Sequence, residues 1–250
     1  MIELRDISQI FDNGIERNHV LKSIDLSVPE GQFVTVIGGN GAGKSTLFNV
    51  ISGNLRPTTG SIIIDDKDML KKSRSARAAV IACVFQDPNS GVCPDLTIAE
   101  NMALAYSRGK VRGLSWAIRK RDIAFFKERL AEFDLGLENM LRKKAALLSG
   151  GQRQVVTLLM ATLQKPRLLL LDEHTAALDP KIAKQVMTIT KKLVDEQKIT
   201  TIMISHNMSD AIAYGDRLIM LDRGNIRLDV SDDEKRALTP TDLITMFETQ

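Results

Sequence analysis

Cysteine is nearly absent from this 250-residue chain. Only Cys83 and Cys93 occur, and they fit no metal-ligand spacing and make no disulfide framework. Reduced thiols in a cytosolic setting are the expectation. Long hydrophobic runs are missing too. The longest, residues 78–84 and 199–204, fall far short of the ~20 apolar residues that a membrane helix needs. No charge of one sign dominates: 34 Lys and Arg against 31 Asp and Glu leave +3, too mild to call for nucleic acid by itself. The opening Met1-Ile2-Glu3-Leu4-Arg5-Asp6 is charged where a secretory signal is apolar. Repeats and low-complexity segments are lacking. These absences predict a soluble chain that would need a partner to supply any membrane span. What is present, 44% hydrophobic and 26% charged residues, is ordinary for a globular protein, and α/β folds of this length are often single units.

Patterning then divides the chain. Ile2, Leu4 and Ile7, and later Ile24, Leu26 and Val28, alternate as strands do, with a turn at Asp12-Asn13-Gly14 between them. Phe33-Val34-Thr35-Val36-Ile37 is a continuous apolar run of the kind found in buried parallel strands. Residues 46–51 continue as a helix, and Pro57-Thr58-Thr59-Gly60 turns into a strand over 61–64. From about 87 to 156 the period changes: Ile118, Phe125, Phe126, Leu130 and Phe133 recur at helical spacing. This stretch reads as a mainly helical insert. Buried strands follow at 168–171 and 200–205, with a helix at 181–196 between them, and that order implies a parallel sheet.

Between the strand at 33–37 and the helix at 46–51 stands Gly38-Gly39-Asn40-Gly41-Ala42-Gly43-Lys44-Ser45-Thr46. Strand, Gly-x-x-x-x-Gly-Lys-Ser and helix make a loop whose backbone N–H groups and helix N-terminus face phosphates. Lys44 is expected to reach the β- and γ-phosphates of a nucleotide, and the Ser45 hydroxyl to ligate Mg²⁺. Leu168-Leu169-Leu170-Leu171 leads into Asp172-Glu173 at the carboxyl end of a strand, where ligands sit in open α/β sheets. Asp172 is placed to hold Mg²⁺ through water, and Glu173 to polarise an attacking water. The bland alternative is that the pair caps the next segment. Ahead of that strand, Leu148-Ser149-Gly150-Gly151-Gln152 opens a second helix, about 152–164, and again offers free N–H groups to an anion.

Two phosphate-facing motifs in this order and at this distance resemble the ATP-binding-cassette (ABC) ATPases, and the likeness runs from Phe11 to His206. The resemblance implies a RecA-like P-loop α/β core with an N-terminal antiparallel β subdomain (residues 1–86 and 157–250) and a helical subdomain (87–156). It implies Mg²⁺-dependent ATP hydrolysis by a head-to-tail pair of chains, with two ATPs at the interface. Ser149, Gly150, Gly151 and Gln152 of one chain then cover the γ-phosphate held by the other chain's loop. Gln86 matches the glutamine that touches Mg²⁺ and the attacking water. Asp179 matches an acidic loop residue that contacts the opposite subunit, and His206 a histidine on the γ-phosphate. Phe11 stands where an aromatic stacks on adenine, although alone it reads as core.

One position departs from the pattern. The family usually has proline after the catalytic glutamate, and here His174 stands there. It could adjust the geometry or charge of Glu173, and the plain expectation is that it fills space. Basic stretches at 108–112, 119–121 and 142–144 are expected to be solvated helix faces, with lipid headgroups or a membrane partner as the second reading. No groove-reading motif accompanies them, so nucleic acid is not expected. Trp116 and Phe125-Phe126 are expected in the core. The resemblance further implies the motor subunit of a bacterial importer at the cytoplasmic face of the membrane. Its partners there are permease subunits contacted through the helical subdomain and an extracytoplasmic substrate-binding protein. The solute suggested is an amino acid or a similar small molecule. The rival reading is a soluble ABC ATPase for iron–sulfur or nucleic-acid work.

Overall fold

The two alternating apolar sets at the start of the chain face each other across one antiparallel pair. In the computed structural model, which describes residues 1–109 and 118–248, β1 (Ile2–Asp12) pairs with β2 (Arg17–Val28) in the register Ile2↔Val28, Leu4↔Leu26 and Ile7↔Ile24. Strand β4 (Thr59–Ile64) lies on the other side of β1, with Ile2↔Ile64 and Leu4↔Ile62, and carries the short β5 (Lys67–Asp68) at its far edge. The Asp12-Asn13-Gly14 turn is held by the Asn13 carboxamide oxygen, which accepts from the N–H groups of Ile15 and Glu16.

The second sheet runs β10-β9-β3-β8-β7-β6. In chain order its strands are β3 (Phe33–Gly38), β6 (Ile81–Val84), β7 (Leu168–Asp172), β8 (Thr201–Ile204), β9 (Arg217–Asp222) and β10 (Asn225–Ser231). All are parallel except the β9–β10 hairpin. Side chains alternate across the faces of a strand, and β7 divides accordingly. Leu168 and Leu170 pack towards the antiparallel sheet and helix α1 (Lys44–Ser52), while Leu169 and Leu171 face the larger helical core. The expected strand at 200–205 is slightly shorter than predicted. Residues 78–84 are not one unit: α2 (Arg74–Ala78) ends there and only 81–84 enter the sheet.

Between β6 and β7 the described residues hold α3 (Ile98–Tyr106), α4 (Lys120–Ala131) and α5 (Gly150–Thr162), joined by turns and two short 3₁₀ segments. Phe126, Leu130 and Phe133 are buried, with Phe125 and Ile118 packed against them. Trp116 and residues 110–112 lie outside the described residues. Arg108 does not belong to a solvated basic face: its guanidinium donates to the carbonyls of Ala161 and Gln164, at 3.1 and 3.3 Å, closing the end of α5. After β7, α6 (Pro180–Gln197) covers the same core face, one residue longer at each end than the apolar pattern predicts. The remainder is α7 (Met208–Ala213), α8 (Asp232–Ala237) and α9 (Pro240–Glu248), of which α7 and α9 build a small third core with β9 and β10. Among the described residues no helix is long and apolar enough to cross a membrane.

Candidate functional site

The glycine-rich loop sits where the parallel sheet ends. Strand β3 is central, flanked by β8 and β9, and its last residue is Gly38. Gly43 caps α1 with φ 104°, and a Cβ there would stand 2.9 Å from the Val20 carbonyl oxygen. That φ is open to glycine at little cost, and the contact leaves no room for a side chain. No side chain caps α1, so its first N–H groups and positive end are left facing the cleft. Val20, Asn40, Gly41, Ala42, Gly43, Ser45, Thr46 and His206 surround this opening, with Lys44 at its base. Val20 carries no motif, and nothing in its local sequence singles it out.

Lys44 is only 6% exposed. Its ammonium donates to the carbonyls of Gly38 at 2.7 Å and Gly39 at 3.0 Å. Burial lowers its pKa from the usual lysine value, and the nearby Glu173 and Asp172 carboxylates oppose that shift. Asp172 ends β7 level with Ile204 of β8. Its carboxyl is held above the ordinary range, first by burial and then by the charge of Glu173, against His206 and Lys44. A half-buried carboxyl beside a second carboxylate also favours a cation. Asp172, together with the exposed Ser45 hydroxyl, offers the hard oxygen ligands that suit Mg²⁺. The described residues contain no cluster of three His, Cys, Asp or Glu able to hold a metal. The set therefore matches a cation that keeps water and phosphate oxygens in its shell.

Glu173 is held in a left-handed conformation, φ 46°, which is uncommon for a residue with a side chain. Its N–H donates to the Ile204 carbonyl at 3.1 Å, and its own carbonyl accepts from the Ala176 N–H at 2.9 Å. That turn brings the carboxylate to His206, with Nε2 and Oε1 2.5 Å apart. The side chain does not cap a following helix, because the next helix, α6, is capped by Asp179, which accepts from the Ile182 N–H at 3.1 Å. His174 turns the other way. It is 1% exposed, its Nε2 lies 3.0 Å from the Thr190 hydroxyl on α6, and burial depresses its pKa to about 4. It is a neutral, hydrogen-bonded core residue rather than a bare space-filler.

The other expected site residues are brought to the surface but not to this carboxylate. Ser149 begins α5 as half of a reciprocal cap, in which its hydroxyl accepts from the Gln152 N–H and the Gln152 side-chain oxygen accepts from the Ser149 N–H. A Cβ on Gly151 would sit 2.2 Å from Ile182 Cγ2, so glycine permits the close approach of α5 and α6. Ser149 and Asp179 are exposed, and so is Gln86, just past β6. A seam joins the flank of Gln86 to α5. The fully buried Gln154 donates from Nε2 to the Phe85 carbonyl at 3.2 Å, and the Asp87 carboxylate lies within the field of Arg153. Phe11 is 46% exposed on β1, so it is a surface aromatic and not core.

A family model described as ABC transporter matches residues 21–176, from β2 through the glycine loop and α5 to the turn after Glu173. The chain belongs to that family. Among similar proteins, the tyrosine transport ATP-binding protein of Clostridioides difficile is 42% identical over 250 residues, covering 99% of both chains. The spermidine/putrescine import ATP-binding protein PotA of Spiroplasma citri is 37% identical over 91% of this chain, which spans 60% of that relative. A dimeric ATP-binding cassette in a post-hydrolysis state, bound to ADP and Pi, superposes with a TM-score of 0.78 at 32% identity, covering 92% of this chain and 98% of the other. The fold is the ABC ATPase fold, a RecA-like core with an antiparallel β sheet and helices, and the protein is an ATP-binding ATPase.

Proposed function

We propose that the chain is the ATP-hydrolysing motor of a bacterial importer, with Glu173 as the general base. The observation that carries the reading is the strained turn that aims the Glu173 carboxylate at His206, beside the uncapped start of α1. In this reading the N–H groups from Gly38 to Thr46, including Asn40, Gly41, Ala42 and Gly43, cradle the phosphates, and Phe11 stacks on adenine. Lys44 leaves its carbonyl partners for the β- and γ-phosphates. Lys44 and His206 stabilise charge on the transferring phosphoryl, where the barrier is mostly electrostatic. Ser45 and Asp172 hold Mg²⁺, which neutralises phosphate charge when bound, and Gln86 positions the attacking water beside it. Glu173 accepts a proton from that water as the oxygen attacks the γ-phosphorus, and ADP departs.

The exposed pair of Ser149 and Asp179 supports a site completed by a second copy. Ser149, Gly150, Gly151 and Gln152 would reach the partner's γ-phosphate head-to-tail, and Asp179 would contact the partner itself. Residues 87–156 are proposed as the helical subdomain that meets permease subunits at the cytoplasmic face of the membrane, with an extracytoplasmic substrate-binding protein completing the importer. The relatives' names range from tyrosine to polyamines. The high coverage of the tyrosine-transport relative supports an amino acid as the solute. Glu173→Gln tests the scheme: it binds ATP with Mg²⁺, stops turning over and accumulates as a dimer in light scattering. A variant that stays monomeric at saturating ATP, or keeps hydrolysing, overturns it.

A further inference from the structure

A residue with a side chain whose backbone occupies the left-handed region is strained and persists only where its surroundings over-determine it. Glu173 is such a residue, at φ 46°. Its own backbone is tied twice, by the Ile204 carbonyl and the Ala176 N–H. Its carboxylate faces the cleft and His206. The side chain immediately after it, His174, is buried to 1% exposure.

The donor and acceptor roles at that side chain can be worked out. The Thr190 hydroxyl donates to the Val186 carbonyl at 2.8 Å within α6. Its oxygen is then an acceptor towards His174 Nε2 at 3.0 Å, so the ring carries its proton on Nε2. The hydrogen bond closes a loop from the turn after β7 to the middle of α6. Inside that loop lies Asp179 at the exposed start of α6.

We infer that His174 is a positioning residue: its hydrogen bond to Thr190 fastens the strained Glu173 turn to α6 and so sets the aim of the Glu173 carboxylate. The inference rests on Glu173 being the base. Without the bond the turn can relax towards ordinary backbone conformations, and the carboxylate leaves its line to the attacking water. Loops that carry reacting groups are sensitive at this scale, because small misplacements of a base cost large factors in rate. The nucleotide itself is bound by other residues, so its affinity is not expected to follow.

Four single variants and one double variant of the full-length chain separate the possibilities, each assayed for ATP turnover and for binding of a fluorescent ATP analogue. Glu173→Gln is the reference, and it loses turnover if the base is correctly placed. His174→Phe fills the same space without a hydrogen bond, and Thr190→Val replaces the hydroxyl by a methyl. Each lowers kcat about tenfold, or about 1.4 kcal/mol of barrier, with KM and nucleotide affinity unchanged within twofold. Combining them lowers kcat no further. His174→Gln, which can place an N–H near the same hydroxyl, recovers most of the rate. If His174→Phe folds poorly, Thr190→Val alone decides. Near-normal kcat in His174→Phe and Thr190→Val beside a dead Glu173→Gln overturns the tether and leaves the base standing. So does a kcat loss matched by lost ATP affinity. Turnover retained by Glu173→Gln removes the base and the tether together.

Discussion

The chain carries two helix starts of similar glycine-rich sequence, and they are finished differently. The start of α1 has no side-chain cap, and its own first residue, Lys44, is a cation buried on the loop's carbonyls. The start of α5 carries a reciprocal cap from its own Ser149 and Gln152, and Ser149 is exposed, with Leu147 beside it 65% exposed. An uncapped, half-enclosed helix end with a lysine at its base is built for an anion held in cis. A capped, exposed one gains little from a free anion and is suited to a ligand that arrives on another surface. On the proposed reading, the contrast assigns ATP binding to α1 and assembly to α5.

The sharpest way to break that division is Lys44→Ala. Removing this ammonium also removes a cation that burial disfavours, so the melting temperature should hold while ATP affinity falls about 100-fold, near 2.7 kcal/mol. Titration calorimetry on the isolated chain checks it, and an affinity within tenfold of the parent would mean that α1 does not need its lysine. Next in size is Gly151→Val. Its Cβ would overlap Ile182, a misfit of the kind that costs about 1–3 kcal/mol. ATP affinity of the single chain should stay within threefold. Dimer formation, read by light scattering in the Glu173→Gln background, should disappear. Lost ATP affinity in this variant would merge the two helix ends into one site.

The motifs at both helix starts were legible in the sequence, and the reasons are local. The contrast between them was not, because the α5 start read there as offering free N–H groups just as α1 does, and its Ser149–Gln152 cap is seen only in the fold. The glycine loop, the acidic pair and Ser149-Gly150-Gly151 are contiguous strings whose chemistry follows from neighbours along the chain. Strand-like alternation at Ile2, Leu4 and Ile7 gave the antiparallel pair because one face of it is buried. What was not legible depends on residues far apart. Nothing near Thr190 says that it meets His174 sixteen positions away. Nor does anything near Gln154 say that its amide donates to the Phe85 carbonyl. Arg108 reads as surface charge until it closes α5. The β9–β10 hairpin and the helices after it carry no motif, yet β9 is what makes β3 a central strand.

The smallest expected effect tests whether the Ser149 hydroxyl only caps its helix or also serves a ligand. Ser149→Ala removes the acceptor for the Gln152 N–H, which at a helix start typically costs about 1 kcal/mol of stability. Ser149→Asn supplies an equally good cap and should restore that stability while still lacking the hydroxyl. Chemical denaturation then separates the two variants, with Ala less stable and Asn near the parent. ATP turnover is expected to fall several-fold in both, because a phosphate ligand is missing from each whatever the state of the cap. Full turnover in Ser149→Asn would reduce Ser149 to a cap. The α5 end would then contribute to the second ATP through its backbone N–H groups alone, leaving the two helix ends more alike in mechanism than their surroundings suggest.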